Sequence, residues 1–189
     1  MERTEGSSAL KPDKIYTIED WRSWPEGERW ELIDGRAFAM SPSPKVRHQE
    51  RAGSLFVQLS NFLEGHPCRV FMAPLDVFLD EEDANRAATV VEPDVLAVFD
   101  PAKIGEEGIH GAPDFVAEVL SDGTANRDFG VKKELYERNG VREYWIIHPE
   151  TGTVFQYILE GELFMPLKEH RRGVPVQSAV FPGYSWICV

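Results

Sequence analysis

The chain has little cysteine, no excess of positive charge and no long apolar stretch. Only Cys68 and Cys188 occur, far apart and outside any metal or redox spacing, so neither a disulfide framework nor a thiolate metal site is expected. That scarcity fits a reduced, cytoplasmic protein. The opening MERTEGSSALKPDK carries no apolar run, so no signal peptide is expected. VLAVF and YWII are strand-sized, too short to span a membrane, and no membrane partner is expected. His66, His110, His148 and His170 show no zinc spacing. A glycine-rich phosphate loop and a nucleophile elbow are also missing. So are repeats, low-complexity tracts and linkers. The net charge is −12. This argues against a protein that coats nucleic acid through bulk positive charge. An enzyme with a local basic patch, or one whose acids hold a cation, is still allowed.

What is present suits one globular domain. The 189 residues, 42% apolar and 28% charged, are enough to bury a core. We expect a leader over 1–14 and a single domain over 15–189. Thr17 can cap a short helix beginning YTIEDW, ended by Pro25-Glu26-Gly27. Asp34-Gly35 between two β-type runs predicts a hairpin, closed by Pro42 and Pro44. From Val46 to Leu63 the apolar residues Leu55, Leu59, Phe62 and Leu63 recur at helical spacing. CRVFMAPLDVFLD reads as a strand or bent strand pair, and EEDANRAAT as a polar loop. VVEPDVLAVFD and DFVAEVLS read as central strands covered on both faces. PAKIGEEGIHGAP between them reads as a loop. A helix ending at Asn139-Gly140 follows. EYWII and TVFQYIL are further strands joined at Pro149–Gly152. The expected architecture is α/β, three-layered, with a mixed central sheet flanked by helices and an N-terminal hairpin. DFVAEVLS and EYWII should be parallel neighbours joined through the helix.

The chemistry centres on two acids. Glu118 stands inside an apolar strand, where a carboxylate is costly unless paired. A lone strand glutamate more often faces solvent or an arginine. Asp94 changes the balance, because it opens the neighbouring strand after Pro93, and proline belongs at strand ends. Asp114 is a poorer partner: four strand residues separate its backbone from that of Glu118 by roughly 13 Å. Asp128, Lys132 and Tyr136 recur at intervals of four and share a helix face. Lys133 is rotated about 100° away.

Asp94, Glu118 and a lysine resemble the pattern of the PD-(D/E)XK nuclease superfamily. The arrangement also resembles a bacterial family of small restriction-endonuclease-like proteins, mostly of uncharacterised function. The likeness runs through Tyr16–Trp21, Trp30–Gly35, His48, Glu92–Asp94, Pro113–Ser121, Asp128–Tyr136, Gly140–Pro149 and Phe181–Trp186. One departure is clear. The usual lysine two residues past the second acid is replaced by Leu120, and the resemblance moves that role to Lys132. It implies DNA phosphodiester hydrolysis with Mg²⁺ or Mn²⁺ held by Asp94, Glu118 and the Val119 carbonyl. Lys132 would be catalytic, with Glu31 as a further acid. His48, Arg51, Asp128 and Lys133 would contact substrate, in a strip that also includes Arg47. The resemblance also implies a homodimer. Two other functions stay open: a nuclease-fold binding or assembly module with little catalysis, favoured by the acidity and the missing strand lysine, and a hydrolase of another phosphate ester.

Overall fold

The computed structural model describes residues 14–25, 29–40, 44–79, 88–121 and 123–189. All of the expected leader except Lys14, the Glu26-Gly27 helix stop, Pro42 and nearly all of the EEDANRAAT loop lie outside them.

Helix α1 (Ile18–Arg22) starts at Thr17, whose side chain and that of Asp20 cap each other's backbone. Strands β1 (Trp30–Ile33) and β2 (Arg36–Ala39) form the expected hairpin. Asp34 and Gly35 both take positive φ, 50° and 70°, the twist a two-residue hairpin needs. Helix α2 (Val46–Phe62) buries Ala52, Leu55 and Leu59. Phe62, expected on that face, is instead partly exposed and leans on Tyr184, ring centroids 5.2 Å apart.

CRVFMAPLDVFLD becomes two strands, β3 (Arg69–Met72) and β4 (Val77–Leu79). VVEPDVLAVFD, expected as one strand, is also two: β5 (Thr89–Val91) and β6 (Val95–Val98). Pro93, with no N–H to donate, falls in the break. The expected loop after β6 contains a 3₁₀ turn at Pro101–Lys103 and the short β7 (Ile109–His110). Then come β8 (Phe115–Val119), α3 (Ala125–Arg127) and α4 (Lys133–Arg138), with a wide π-type turn, Asp128–Lys132, between the helices. Strands β9 (Glu143–Ile147), β10 (Val154–Glu160), β11 (Leu163–Phe164), β12 (Lys168–His170), β13 (Val176–Gln177) and β14 (Ser185–Trp186) complete the order.

Among the described residues two larger sheets form. The central one runs β11-β10-β9-β8-β6-β3, with β12 also on β10; the other runs β2-β1-β5-β4-β7. The β3–β4 and β5–β6 breaks are where the chain passes from one sheet to the other. As expected, β8 and β9 are parallel, and the helical segment connects them. Every residue of β6 and β8 is buried, so both faces of the central sheet are covered. Ala117 and Val119 pack with α2 residues on one side. Val116 and Leu120 pack with Ile33, Leu135 and Tyr136 on the other.

The C-terminal segment is tied in through Glu143, which is fully buried. Its Oε1 accepts from Trp145 Nε1 (2.7 Å) and Gln156 Nε2 (2.6 Å). Its Oε2 accepts from Ser178 Oγ (2.6 Å) and from the Ala179 and Val180 amides (both 3.0 Å). Five donors make this buried carboxylate tolerable without a cation.

Candidate active site

Strand pairing brings the two acids together. Val95 lies opposite Ala117. One step further along the antiparallel pair, Asp94 falls opposite Glu118. Directly opposed residues share a face, with Cβ atoms about 4.5–5.5 Å apart. That face is the Val116–Leu120 side, towards the helical segment. Asp94 is fixed by the end of β8: its Oδ2 accepts from the Val119 amide at 2.7 Å. His48, reaching around the sheet end from α2, puts Nε2 3.2 Å from the same oxygen. Burial works against charge on His48, but Asp94 and the Val119 backbone outweigh it and raise its pKa above the usual histidine value.

Glu118 is buried, and its Oε1 accepts from Lys132 Nζ (2.7 Å) and Tyr136 Oη (2.8 Å). Lys132 Nζ also lies 2.6 Å from Glu31 Oε1. The wide turn over Asp128–Lys132 carries Lys132 inward, leaving it and Asp128 buried. Glu31 comes from the other sheet. It shares the inward face of β1 with Ile33, and its Oε1 also accepts from the Glu92 amide at 3.3 Å. Burial, opposed by Lys132 and reinforced by Asp94, Asp128 and Glu31, pushes Glu118 up to about 8. Burial also raises Asp128, against Lys132 and a hydrogen bond from Thr124. Lys132 moves the other way. Burial disfavours its charge, but Glu118, Glu31 and Asp128 hold it protonated. The ammonium is therefore charged, and it is outnumbered by carboxyl groups.

Apart from Tyr136, which lies behind Glu118, the charged groups line one cavity of about 510 Å³. Asp94, Glu118, Val119, Lys132, Glu31, His48 and Asp128 are among its walls, as is Arg47. Two expected substrate contacts are not. Arg51 is buried behind the cavity, donating to the carbonyls of Pro149 and Val189. Lys133 pairs with Glu137 at 2.7 Å and lies over the Phe164 ring; the wide turn sends it away from the site. Sequence reasoning missed Arg29, Arg127 and His148, which also line the cavity. Arg29 pairs with Glu92 at 2.6 Å. Arg127 sits over Phe38, its NH1 3.6 Å from Glu31 Oε2. Arg127 Nε and Glu31 Oε2 are buried without hydrogen-bond partners. No spacing signal marks these three; a fold-level view of which chain segments meet was needed.

A divalent cation fits this donor set. Carboxylates outnumber the buried ammonium, one buried glutamate oxygen has no donor, and Asp94, Glu118 and a backbone carbonyl are hard oxygen ligands. Three or more histidine, cysteine or acidic side chains do not converge on one point among the described residues. A cation here would therefore keep several waters, as Mg²⁺ does.

A mixed sheet with an acid at one strand's mouth, an acid within its neighbour and a lysine from the following helix defines a restriction-endonuclease-like α/β protein. The chain belongs to the Uma2 family, whose model, described as "Putative restriction endonuclease", matches residues 15–187. The fold is similar to a crystal structure from Anabaena variabilis, described as a putative nuclease belonging to DUF820. That match has a TM-score of 0.71 at 17% identity and covers 91% of this chain and 94% of the other. Both likenesses are consistent with the PD-(D/E)XK superfamily. No curated protein matches. No helix among the described residues is long and apolar enough to cross a membrane.

Proposed function

We propose that the chain is a Mg²⁺- or Mn²⁺-dependent endonuclease that hydrolyses DNA phosphodiester bonds. The observation that carries this is the buried Glu31–Lys132–Glu118 chain beside Asp94, in a cavity walled by Arg29, Arg47 and Arg127. Acids for a cation and donors for an anion lie side by side. Asp94, Glu118 and the Val119 carbonyl would hold the ion, which when bound supplies Lewis-acid polarisation and an activated water. Lys132, kept charged by its carboxylates, stabilises negative charge developing on the phosphate. Glu31 orients Lys132. Arg127, with an unpartnered Nε, donates to a non-bridging phosphate oxygen. His48 holds Asp94. Asp128, in the turn that carries Lys132 and on the cavity wall, contacts substrate. A homodimer, one site for each strand, fits duplex cleavage, and light scattering measures it.

The test is supercoiled plasmid with Mn²⁺. Wild type should nick or linearise it, and Glu118→Ala should not. Wild type that leaves plasmid intact under all divalent cations would end the enzymatic proposal. The binding-module alternative rests on Leu120 standing where a strand lysine is usual. It predicts DNA retention without cleavage, unaffected by Glu118→Ala.

A further inference from the structure

We propose that DNA leaving the cavity is held by Arg171 and Arg172, which grip its phosphate backbone beyond the turn Pro149–Gly152. This rests on the nuclease function above and gives the substrate a path that the active site alone does not.

Three observations converge. First, the turn is the cavity wall: His148, Pro149 and Glu150 line it. Its single acid, Glu150, is neutralised by Arg47 at 2.7 Å. Second, Arg172 lies against that turn. Its Cβ, Cγ and Cδ pack over Gly152, at 3.1, 2.9 and 3.2 Å from where a Cβ on that glycine would sit. The stem is held by the turn while the residue stays exposed. On the same side, the buried Arg51 donates to the Pro149 carbonyl. Third, Arg171 and Arg172 are exposed and make no ion pair among the described residues. Arg22, Arg29, Arg47, Arg138 and Arg142 are each matched by an acid. The exposed Arg36 and Arg69 stand singly in sequence, whereas Arg171 and Arg172 are adjacent, and Arg172 touches the turn that lines the cavity. In a chain of net charge −12, two adjacent unmatched arginines beside the cavity wall form a local attractive field. Polyanion backbone is the ligand such a field takes.

The experiment uses the full chain with Ca²⁺ in place of Mn²⁺. Fluorescein-labelled DNA of about 30 nucleotides, single-stranded and duplex, is titrated by anisotropy across a salt series. The variants are the double charge reversal Arg171→Glu with Arg172→Glu, and the milder Arg171→Gln with Arg172→Gln. Hydrolysis of bis(p-nitrophenyl) phosphate in Mn²⁺, a substrate too small to reach the arginines, runs in parallel. The expected result is at least a tenfold loss of DNA affinity for the reversal and a smaller loss for the glutamine pair. The salt slope should become shallower by about 1.4–1.8, as for two lost phosphate contacts. Small-diester hydrolysis should be unchanged. Wild-type affinity and slope in both variants would overturn the proposal. A wild type that hydrolyses the small diester without binding DNA would overturn it while sparing phosphodiesterase chemistry. A wild type inert towards both would remove the nuclease function and this proposal together.

Discussion

Lys132 Nζ sits 2.6 Å from Glu31 and 2.7 Å from Glu118, and all three side chains are buried. Removing one partner of such a group costs about 3–5 kcal/mol, because the remaining charges stay desolvated. Lys132→Ala should therefore lower the melting temperature sharply. Added Mn²⁺ should restore more stability to the variant than to wild type, since the freed carboxylates attract the cation more strongly. Thermal melts with and without Mn²⁺ measure this; equal stabilisation of both proteins would deny the carboxylates a role in binding the ion. Cleavage should fall roughly 10²–10³-fold, as when one preorganised stabilising group is lost, while calorimetric Mn²⁺ binding persists. Asp94 and Glu118 stood out in the sequence because a carboxylate in an apolar strand needs a reason. His48 entered only through the family resemblance, and Arg127 not at all, since their partners, Asp94 and Glu31, are 46 or more residues away in the chain.

At the level of elements, Glu143 shows how a strand residue can anchor a distant segment. Its two oxygens serve five donors. Glu143→Gln keeps the shape but has one acceptor oxygen, so at least two donors are stranded, at about 1–3 kcal/mol each. Urea unfolding followed by tryptophan fluorescence should show the loss, with Mn²⁺ binding at the distant cavity unaffected. Asp76, just before β4, behaves differently. Burial and then Glu92 push its carboxyl up to about 6, against Arg29. An acid raised in the folded state is ionised at a cost above that value. The cost appears as pH rises from about 4 to 6 and is absent below both values. Asp76→Asn should therefore raise the melting temperature at pH 8 and leave it nearly unchanged at pH 3.5. An equal gain at both would refute a charge-based cause. The hairpin, α2 and the β8–helix–β9 crossover were readable from turn chemistry and periodicity. The division into two sheets was not, because strand breaks at Pro74 and Pro93 look in sequence like pauses in one strand.

Across the whole molecule the charge is −12, and such self-repulsion loosens a compact state. Raising NaCl from about 20 mM to 0.3 M, where the screening length falls below about 10 Å, should lift the melting temperature by a few degrees. The same change should weaken DNA binding. Two opposite responses to one variable separate global repulsion from the local cationic surface; matching signs would contradict that division. Composition gave the global charge correctly, but only the fold showed that several of the chain's 20 cations line one cavity.

Glu31, Asp94, Glu118 and Lys132 come from four chain segments in two sheets and a helical turn. This spacing has a consequence for biosynthesis. In the growing chain Glu31 is made first, Asp94 next, Glu118 and Lys132 close together, and the cavity wall at His148 and Pro149 last. Until those residues have been made and packed, no site exists. Any chemistry that needs all four side chains thus waits for the last-made wall of the cavity to fold.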